Sequence, residues 1–179
     1  TAIVTGGTRG IGKSIVTSLV DRGCEVLFTG TKLLKEDNFP DSHYFQLNLE
    51  DEKSLEYFLN TVESEFDKID ILINNAGINK VSDIRNLERK GLESVLNVNL
   101  IGPALITSRV SKKMAHYNYG RIVNISSIFG IVSRSGRTSY SSSKAGLIGQ
   151  TRAVALDLAQ NGILVNSVCP GFVETELTE

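Results

Sequence analysis

Apolar residues in this chain come in two kinds of run that take turns. Short, nearly unbroken runs sit at residues 2–4, 26–29, 44–47, 69–73, 120–126 and 163–168. Their length and β-branched content predict strands buried on both faces. Between them, apolar positions recur at helical spacing. Ile11, Ile15, Leu19 and Val20 form one such stripe, and Gly23 ends it as a C′ glycine would. Leu55, Phe58, Leu59 and Val62 form another within residues 52–66. Longer helical stretches cover residues 87–114 and 139–160. Strand and helix in strict alternation predict an α/β fold, a doubly wound parallel sheet.

Two places break the rhythm. Residues 33–43 hold Pro40 and almost no helical periodicity, so the usual crossover helix is predicted to be reduced to a turn or absent. Residues 87–114 are interrupted by Asn97, Asn99 and Gly102-Pro103. A kink near Asn99 is expected, with backbone groups freed to bind water.

The first strand runs straight into Thr5-Gly-Gly-Thr-Arg-Gly-Ile-Gly12. Glycines between a strand and a helix let the backbone approach a diphosphate, whose charge then meets the N–H groups and positive end of the helix. The spacing of Gly6, Gly10 and Gly12 is G-x-x-x-G-x-G, distinct from the G-x-G-x-x-G of the general dinucleotide fingerprint. At the end of the second strand a carboxylate would bind ribose hydroxyls and repel a 2′-phosphate. This chain has Thr29-Gly-Thr-Lys32 there, and Arg9 in the glycine loop. With no acid and two cations at hand, NADP(H) is favoured over NAD(H).

Tyr140 and Lys144 open the last periodic stretch, one helical turn apart on one face. A free phenol ionises near pH ~10, and an ammonium held close favours the phenolate. Ser127 follows the fifth apolar run and so belongs at a strand's carboxyl end, where open α/β sheets bind ligands. A hydroxyl, a tuned phenol and an ammonium suit proton movement on or off a carbonyl oxygen.

With 179 residues the chain has room for one domain with a substantial core. A hydrophobic share of 41% and a net charge of −1 exclude a disordered tail and, by bulk charge, a nucleic-acid-binding surface. Cys24 and Cys169 make no disulfide framework, so a reduced, cytoplasmic setting is expected. No apolar run reaches transmembrane length, so no membrane partner is expected. His43 and His116 stand isolated, and no metal is predicted. Cys169 reads as a small buried hydrophobe, and Arg134 and Arg137 as loop cations able to meet an anionic substrate or carrier. Thr1 is not a methionine and Ala2 already lies in a strand, so the chain reads as part of a longer one, incomplete at both ends.

Taken together, the motifs resemble those of the short-chain dehydrogenase/reductase family, single-domain type. Thr5–Gly12 matches T-G-x-x-x-G-x-G, Asn74-Asn-Ala-Gly77 matches N-N-A-G, and Tyr140-Ser-Ser-Ser-Lys144 matches Y-x-x-x-K. Ser127 precedes the tyrosine by thirteen positions, as the family's catalytic serine does, and Ser126 fills the neighbouring slot. Asn99 matches the active-site asparagine, and Pro170-Gly171 with Thr175 matches P-G-x-x-x-T. The resemblance implies one Rossmann-like NAD(P)-binding domain over residues 1–179, strand order 3-2-1-4-5-6, with a seventh strand absent from this chain.

It also implies roles. Tyr140 is the general acid/base, Lys144 lowers its pKa and holds the nicotinamide ribose, Ser127 hydrogen-bonds the substrate oxygen, and Asn99 positions a water. Gly6, Thr8, Arg9, Gly10, Ile11 and Gly12 serve the cofactor's diphosphate side, and Thr31 its adenosine ribose. Asn48 and Leu49 lie beside the adenine. Asn75, Ala76 and Gly77 meet a ribose, and Pro170, Gly171, Val173 and Thr175 the nicotinamide. Within the family the chain is most similar to 3-oxoacyl-acyl-carrier-protein reductases. The expected reaction is hydride transfer between nicotinamide and a small carbonyl or secondary alcohol, with a 3-oxoacyl thioester, free or carrier-bound, as one candidate. A homodimer or homotetramer through helix 87–114 and the Tyr140 helix is expected. Two rivals remain at this point: a non-catalytic NAD(P)-binding regulator of the same fold, and an epimerase or dehydratase.

Overall fold

Six apolar runs become six parallel strands in one sheet. In the computed structural model, which describes residues 1–33 and 42–174, these are β1 (Ala2–Val4), β2 (Val26–Gly30), β3 (Ser42–Gln46), β4 (Ile71–Asn74), β5 (Gly120–Ile125) and β6 (Ile163–Val168). Their order is β3-β2-β1-β4-β5-β6, as expected. β1 lies between two partners, with Ala2 opposite both Val26 and Ile71. Its three residues are wholly buried, which is why the sequence there shows no polar alternation.

The pleat sends alternate residues to opposite faces. Ile3 joins the core that takes Phe58 and Leu59 from α2 (Glu52–Glu65) and Ile106 and Val110 from α4 (Gly102–His116). Ala2 and Val4 join the other core, with Val16 of α1 (Gly10–Val20) and Phe28. Val154, Ala155 and Leu158 of α5 (Thr138–Leu158) pack against the first of these. Helices therefore cover both faces, and every βα connection brings the chain back over the carboxyl ends of the strands.

Boundaries shift locally from the sequence expectations. β3 begins at Ser42, two residues early, and ends at Gln46. The Tyr44 hydroxyl donates to the Lys32 carbonyl, fastening β3 to the end of β2. The shortened crossover at 33–43 falls mostly outside the described residues. β4 starts at Ile71 rather than Ile69, because the N–H groups of Asp70 and Ile71 are taken by the Thr1 carbonyl.

The expected break near Asn99 has a definite form. α3 (Arg89–Leu96) passes into α4 through a π-turn at Asn97–Ile101, and the Gly102 N–H bonds the Asn97 carbonyl five residues back. Pro103 has no N–H to offer the Asn99 carbonyl at its α-helical spacing, so the wider turn costs no regular bond there. No helix is long and apolar enough to cross a membrane among the described residues.

Candidate active site

The carboxyl ends of β1, β2, β4 and β5 open onto one cleft of about 290 Å³. Its near end is the glycine turn. Gly6 adopts φ +67°, a conformation that side chains disfavour. A Cβ on Gly12 would lie 2.1 Å from the Gly6 carbonyl oxygen and 2.4 Å from Asn75 Nδ2, so only glycine fits. The turn is held by its neighbours. Asn75 Nδ2 donates to the carbonyls of Thr5 (3.1 Å) and Gly6 (2.9 Å). Thr5 Oγ1 accepts from the N–H groups of Asn75 (3.0 Å) and Ala76 (3.1 Å), and Thr29 Oγ1 from Gly6 (3.2 Å). Three strand ends are thereby locked together.

At α1 the N-cap is Arg9, whose backbone is extended and whose side chain makes no capping bond. By contrast, α2 is capped by Asp51, whose carboxylate accepts from the Lys53 N–H at 3.0 Å. The uncapped first turn of α1, beside a backbone cradle that a Cβ would fill, suits a dinucleotide diphosphate. Thr8, Arg9, Gly10, Ile11, Gly30 and Thr31 line this end, with no carboxylate in the cleft lining among the described residues.

The far end holds the polar groups. Ser127 Oγ accepts from the Phe129 N–H (3.1 Å) and shares the cleft wall with Tyr140. Ser126 points the other way: its hydroxyl donates to the Lys144 carbonyl at 2.9 Å and ties α5 to β5. Lys144 is 3% exposed, and its Nζ donates to the Ile125 carbonyl at 2.7 Å, at 5.7 Å from the centre of the Tyr140 ring. Burial pushes the Lys144 ammonium down to about 8, against a small upward influence from Cys169. Burial also raises the Tyr140 phenol, outweighing the nearby Ser127 hydroxyl and the Arg137 charge that lower it. The sequence expectation was a phenol depressed by its lysine. In this geometry the ammonium is turned to a carbonyl, and desolvation wins.

Asn99 is wholly buried and clamps the loop after β4. Its Oδ1 accepts from the Ile78 N–H, and its Nδ2 donates to the Ile78 carbonyl, both at 2.9 Å. The same Nδ2 donates to Ser143 Oγ at 3.0 Å, and Ser143 Oγ donates to the Tyr140 carbonyl at 2.7 Å. The side-chain amide is thus fully engaged in joining the π-turn, the loop and α5.

Of the sequence-predicted residues, Ser127, Tyr140 and Lys144 converge in the cleft, with Leu49, Ala76, Gly77, Pro170, Gly171 and Val173 along its walls. Asn48 does not reach it. That residue is exposed and folds back on its own turn, its Oδ1 accepting from the Glu50 N–H at 3.0 Å. Lys32 is exposed and outside the cleft lining. Thr175 lies outside the described residues. The apolar wall from Leu47, Ile78, Val98 and Ile125 was not foreseen. Each stands next to a singled-out polar or glycine residue, the only sign of it in the sequence.

Comparison with known proteins agrees with this architecture. The family model described as short chain dehydrogenase matches residues 1–179. The 3-oxoacyl-[acyl-carrier-protein] reductase FabG of Aquifex aeolicus is 40% identical over 186 residues, covering 99% of this chain and 75% of that protein. FabG of Escherichia coli is 34% identical over 182 residues, with the same coverage of 99% and 75%. Among solved structures, a short-chain dehydrogenase from Streptomyces avermitilis superposes with a TM-score of 0.91 at 29% identity, covering 99% of this chain and 67% of that one. A 4-hydroxyisoleucine dehydrogenase complexed with NADH gives 0.90 at 28% identity, covering 98% and 76%. The chain therefore belongs to the short chain dehydrogenase family and is an NAD(P)-dependent oxidoreductase acting on CH–OH or C=O groups.

Proposed function

We propose that the chain is an NADP(H)-dependent carbonyl reductase, with a 3-oxoacyl thioester as the first substrate to try. The observation that carries this reading is one cleft whose described lining holds no acid at its nucleotide end and brings Ser127 and Tyr140 together beside a buried lysine at the other. The relatives named 3-oxoacyl-[acyl-carrier-protein] reductase support the thioester.

In this reading Gly6, Gly10, Ile11 and Gly12 offer backbone to the diphosphate, and Arg9 meets a 2′-phosphate near Gly30 and Thr31. Asn75, Ala76 and Gly77 flank a ribose, with Lys144 able to donate to its hydroxyls. Leu49 lines the adenine side; Pro170, Gly171 and Val173 wall the nicotinamide side. The bound nicotinamide supplies or accepts the hydride. Ser127 and the Tyr140 hydroxyl then both reach the substrate oxygen. Tyr140 gives its proton to the oxygen as charge develops there, and Ser127 donates a hydrogen bond that strengthens with that charge. Lys144 stabilises the phenolate left behind. The Asn99 carbonyl, lacking a donor from Pro103, holds the water through which the proton is replaced. A homodimer or homotetramer through the rod of residues 87–114 and α5 fits the exposure of Ile101 (45%) and Leu105 (46%), and a stable monomer on sedimentation would contradict it.

Nicotinamide fluorescence titration tests the cofactor end. NADPH should bind more tightly than NADH, and Arg9→Gln should close that gap by about tenfold through loss of a charged hydrogen bond. Equal affinities in the unaltered protein would reject the NADP(H) assignment. A ketone and 3-oxoacyl thioester panel then tests the substrate end.

A further inference from the structure

At the nucleotide end of the cleft, β2 gives out while the chain still has a shape to hold. The last ladder bond between β2 and β3 runs from the Leu47 N–H to the Gly30 carbonyl at 2.8 Å. Past it, Thr31 and Lys32 are exposed and Leu33 is 78% exposed, so burial does not fix them. Thr31 nevertheless lines the cleft beside Gly30.

Two side chains of β3 continue where the ladder stops. Gln46 Nε2 donates to the Thr31 carbonyl at 3.0 Å, and the Tyr44 hydroxyl donates to the Lys32 carbonyl. Tyr44 and Gln46 stand two apart in one strand, so both side chains leave the same face of the sheet. The consecutive carbonyls of Gly30, Thr31 and Lys32 are thus all taken by the β3 segment. The phenol is itself held, its ring centre 5.4 Å from that of Phe28. Burial raises the Tyr44 phenol above its ordinary value, which keeps the donated proton in place. Against this strip lies the glycine turn. A Cβ on Gly30 would fall 2.5 Å from Thr8 Cγ2 and 3.2 Å from the Tyr44 hydroxyl oxygen. Strip, turn and phenol therefore meet at one point, and Arg9 and Gly10 follow Thr8 along the cleft wall.

We propose that Tyr44 and Gln46 are positioning residues for the cofactor: by holding the Lys32 and Thr31 carbonyls they keep the strip seated on Thr8, and so set how tightly the adenosine half of the nucleotide binds. This rests on the reading that this end of the cleft takes the adenosine, with or without a 2′-phosphate. A strip left loose has to be ordered by its ligand, and that ordering is subtracted from affinity. Neither side chain lines the cleft, and the hydride step does not depend on them.

Tyr44→Phe removes the hydroxyl alone, and Gln46→Met removes the amide with the length of the side chain kept. Each should weaken NADPH and NADH by about three- to tenfold in fluorescence titration, as loss of a neutral hydrogen bond does. Calorimetry with ADP and with reduced nicotinamide mononucleotide divides the effect between the two halves. ADP should weaken by a like factor and the mononucleotide not at all. In turnover with the best ketone of the panel, the cofactor KM should rise while kcat at saturating cofactor is kept. A general loosening of the fold would instead lower kcat and the affinity for the mononucleotide as well, and that result would overturn the proposal. ADP bound equally well by the variants and the unaltered protein would also overturn it, and would leave the nucleotide reading standing. NADPH and NADH both failing to bind the unaltered protein would sink the two together. The donors are removed singly, so should one variant not fold, the other decides.

Discussion

A lysine that is 3% exposed and faces a carbonyl oxygen sets the electrostatics of this site. Its ionisation falls to about 8 from an ordinary 10.5. Below pH ~8 folded and unfolded chains both hold the proton, and the full penalty of burying an ammonium is present. Between these two values the unfolded chain binds more protons, so folding stability of the nucleotide-free protein rises with pH. Above the higher value the penalty is gone. The span corresponds to about 3 kcal/mol. Urea midpoints followed from neutral pH to about pH 10 should therefore climb, and Lys144→Met should flatten the climb. Tyr140 moves the opposite way, its phenol raised by burial. In nucleotide-free protein its ¹³Cζ resonance should titrate above that of a free tyrosine. Tyr140→Phe should cost about 10²- to 10⁴-fold in kcat while fluorescence titration shows nucleotide affinity largely kept. The positions of Ser127, Tyr140 and Lys144 could be read from spacing alone. The direction of the tyrosine shift could not, because it depends on the Lys144–Ile125 hydrogen bond, which the sequence does not reveal.

Among the elements, the glycine turn shows how a local pattern becomes a requirement of packing. A Cβ at Gly12 meets backbone at 2.1 Å, which cannot yield as the end of a side chain can. Gly12→Ala should therefore cost about 1–3 kcal/mol or more and abolish nucleotide binding, read as a lowered Tm together with lost fluorescence quenching. Strand and helix runs were legible because a buried parallel strand has no polar face to disguise it. β3 was placed less well, since its fastening comes from Tyr44 reaching the Lys32 carbonyl and not from its own apolar run. Asn48 was expected beside the adenine, but an Asx-type turn draws it away. The interruption at Asn97–Pro103 was visible as an anomaly, whereas its resolution as a π-turn needed the surrounding contacts of Asn99.

Across the whole molecule, a buried polar chain crosses between the sheet and two helices. Asn74 Nδ2 donates to Thr107 Oγ1 of α4 (3.0 Å) and to Asn124 Oδ1 of β5 (2.8 Å). Asn124 Nδ2 donates in turn to Thr151 Oγ1 of α5 at 2.9 Å, and that hydroxyl donates to the Leu147 carbonyl at 2.7 Å. Such networks fix relative placement more than they add net stability. Thr151→Val keeps the volume but leaves the Asn124 donor unmet, at about 1–3 kcal/mol. Its thermal midpoint should fall. Because α5 carries Tyr140 and Lys144, kcat should fall as well, with nucleotide affinity little changed since α1 and its loop stand on another face. A kcat equal to that of the unaltered enzyme would show that α5 is held by its apolar contacts alone.

The π-turn means that the rod from α3 to α4 carries one residue more than regular winding would need. Removing Leu100 would let the coil close toward an ordinary α-helix, with Pro103 then leaving the Val98 carbonyl without an N–H. It would also swing Asn99 by about 100° relative to one flank, away from Ile78 and Ser143. A shortened variant of this kind could melt no lower than its parent and still be catalytically silent, so at this point thermal tolerance and turnover are opposing demands on a single residue of length.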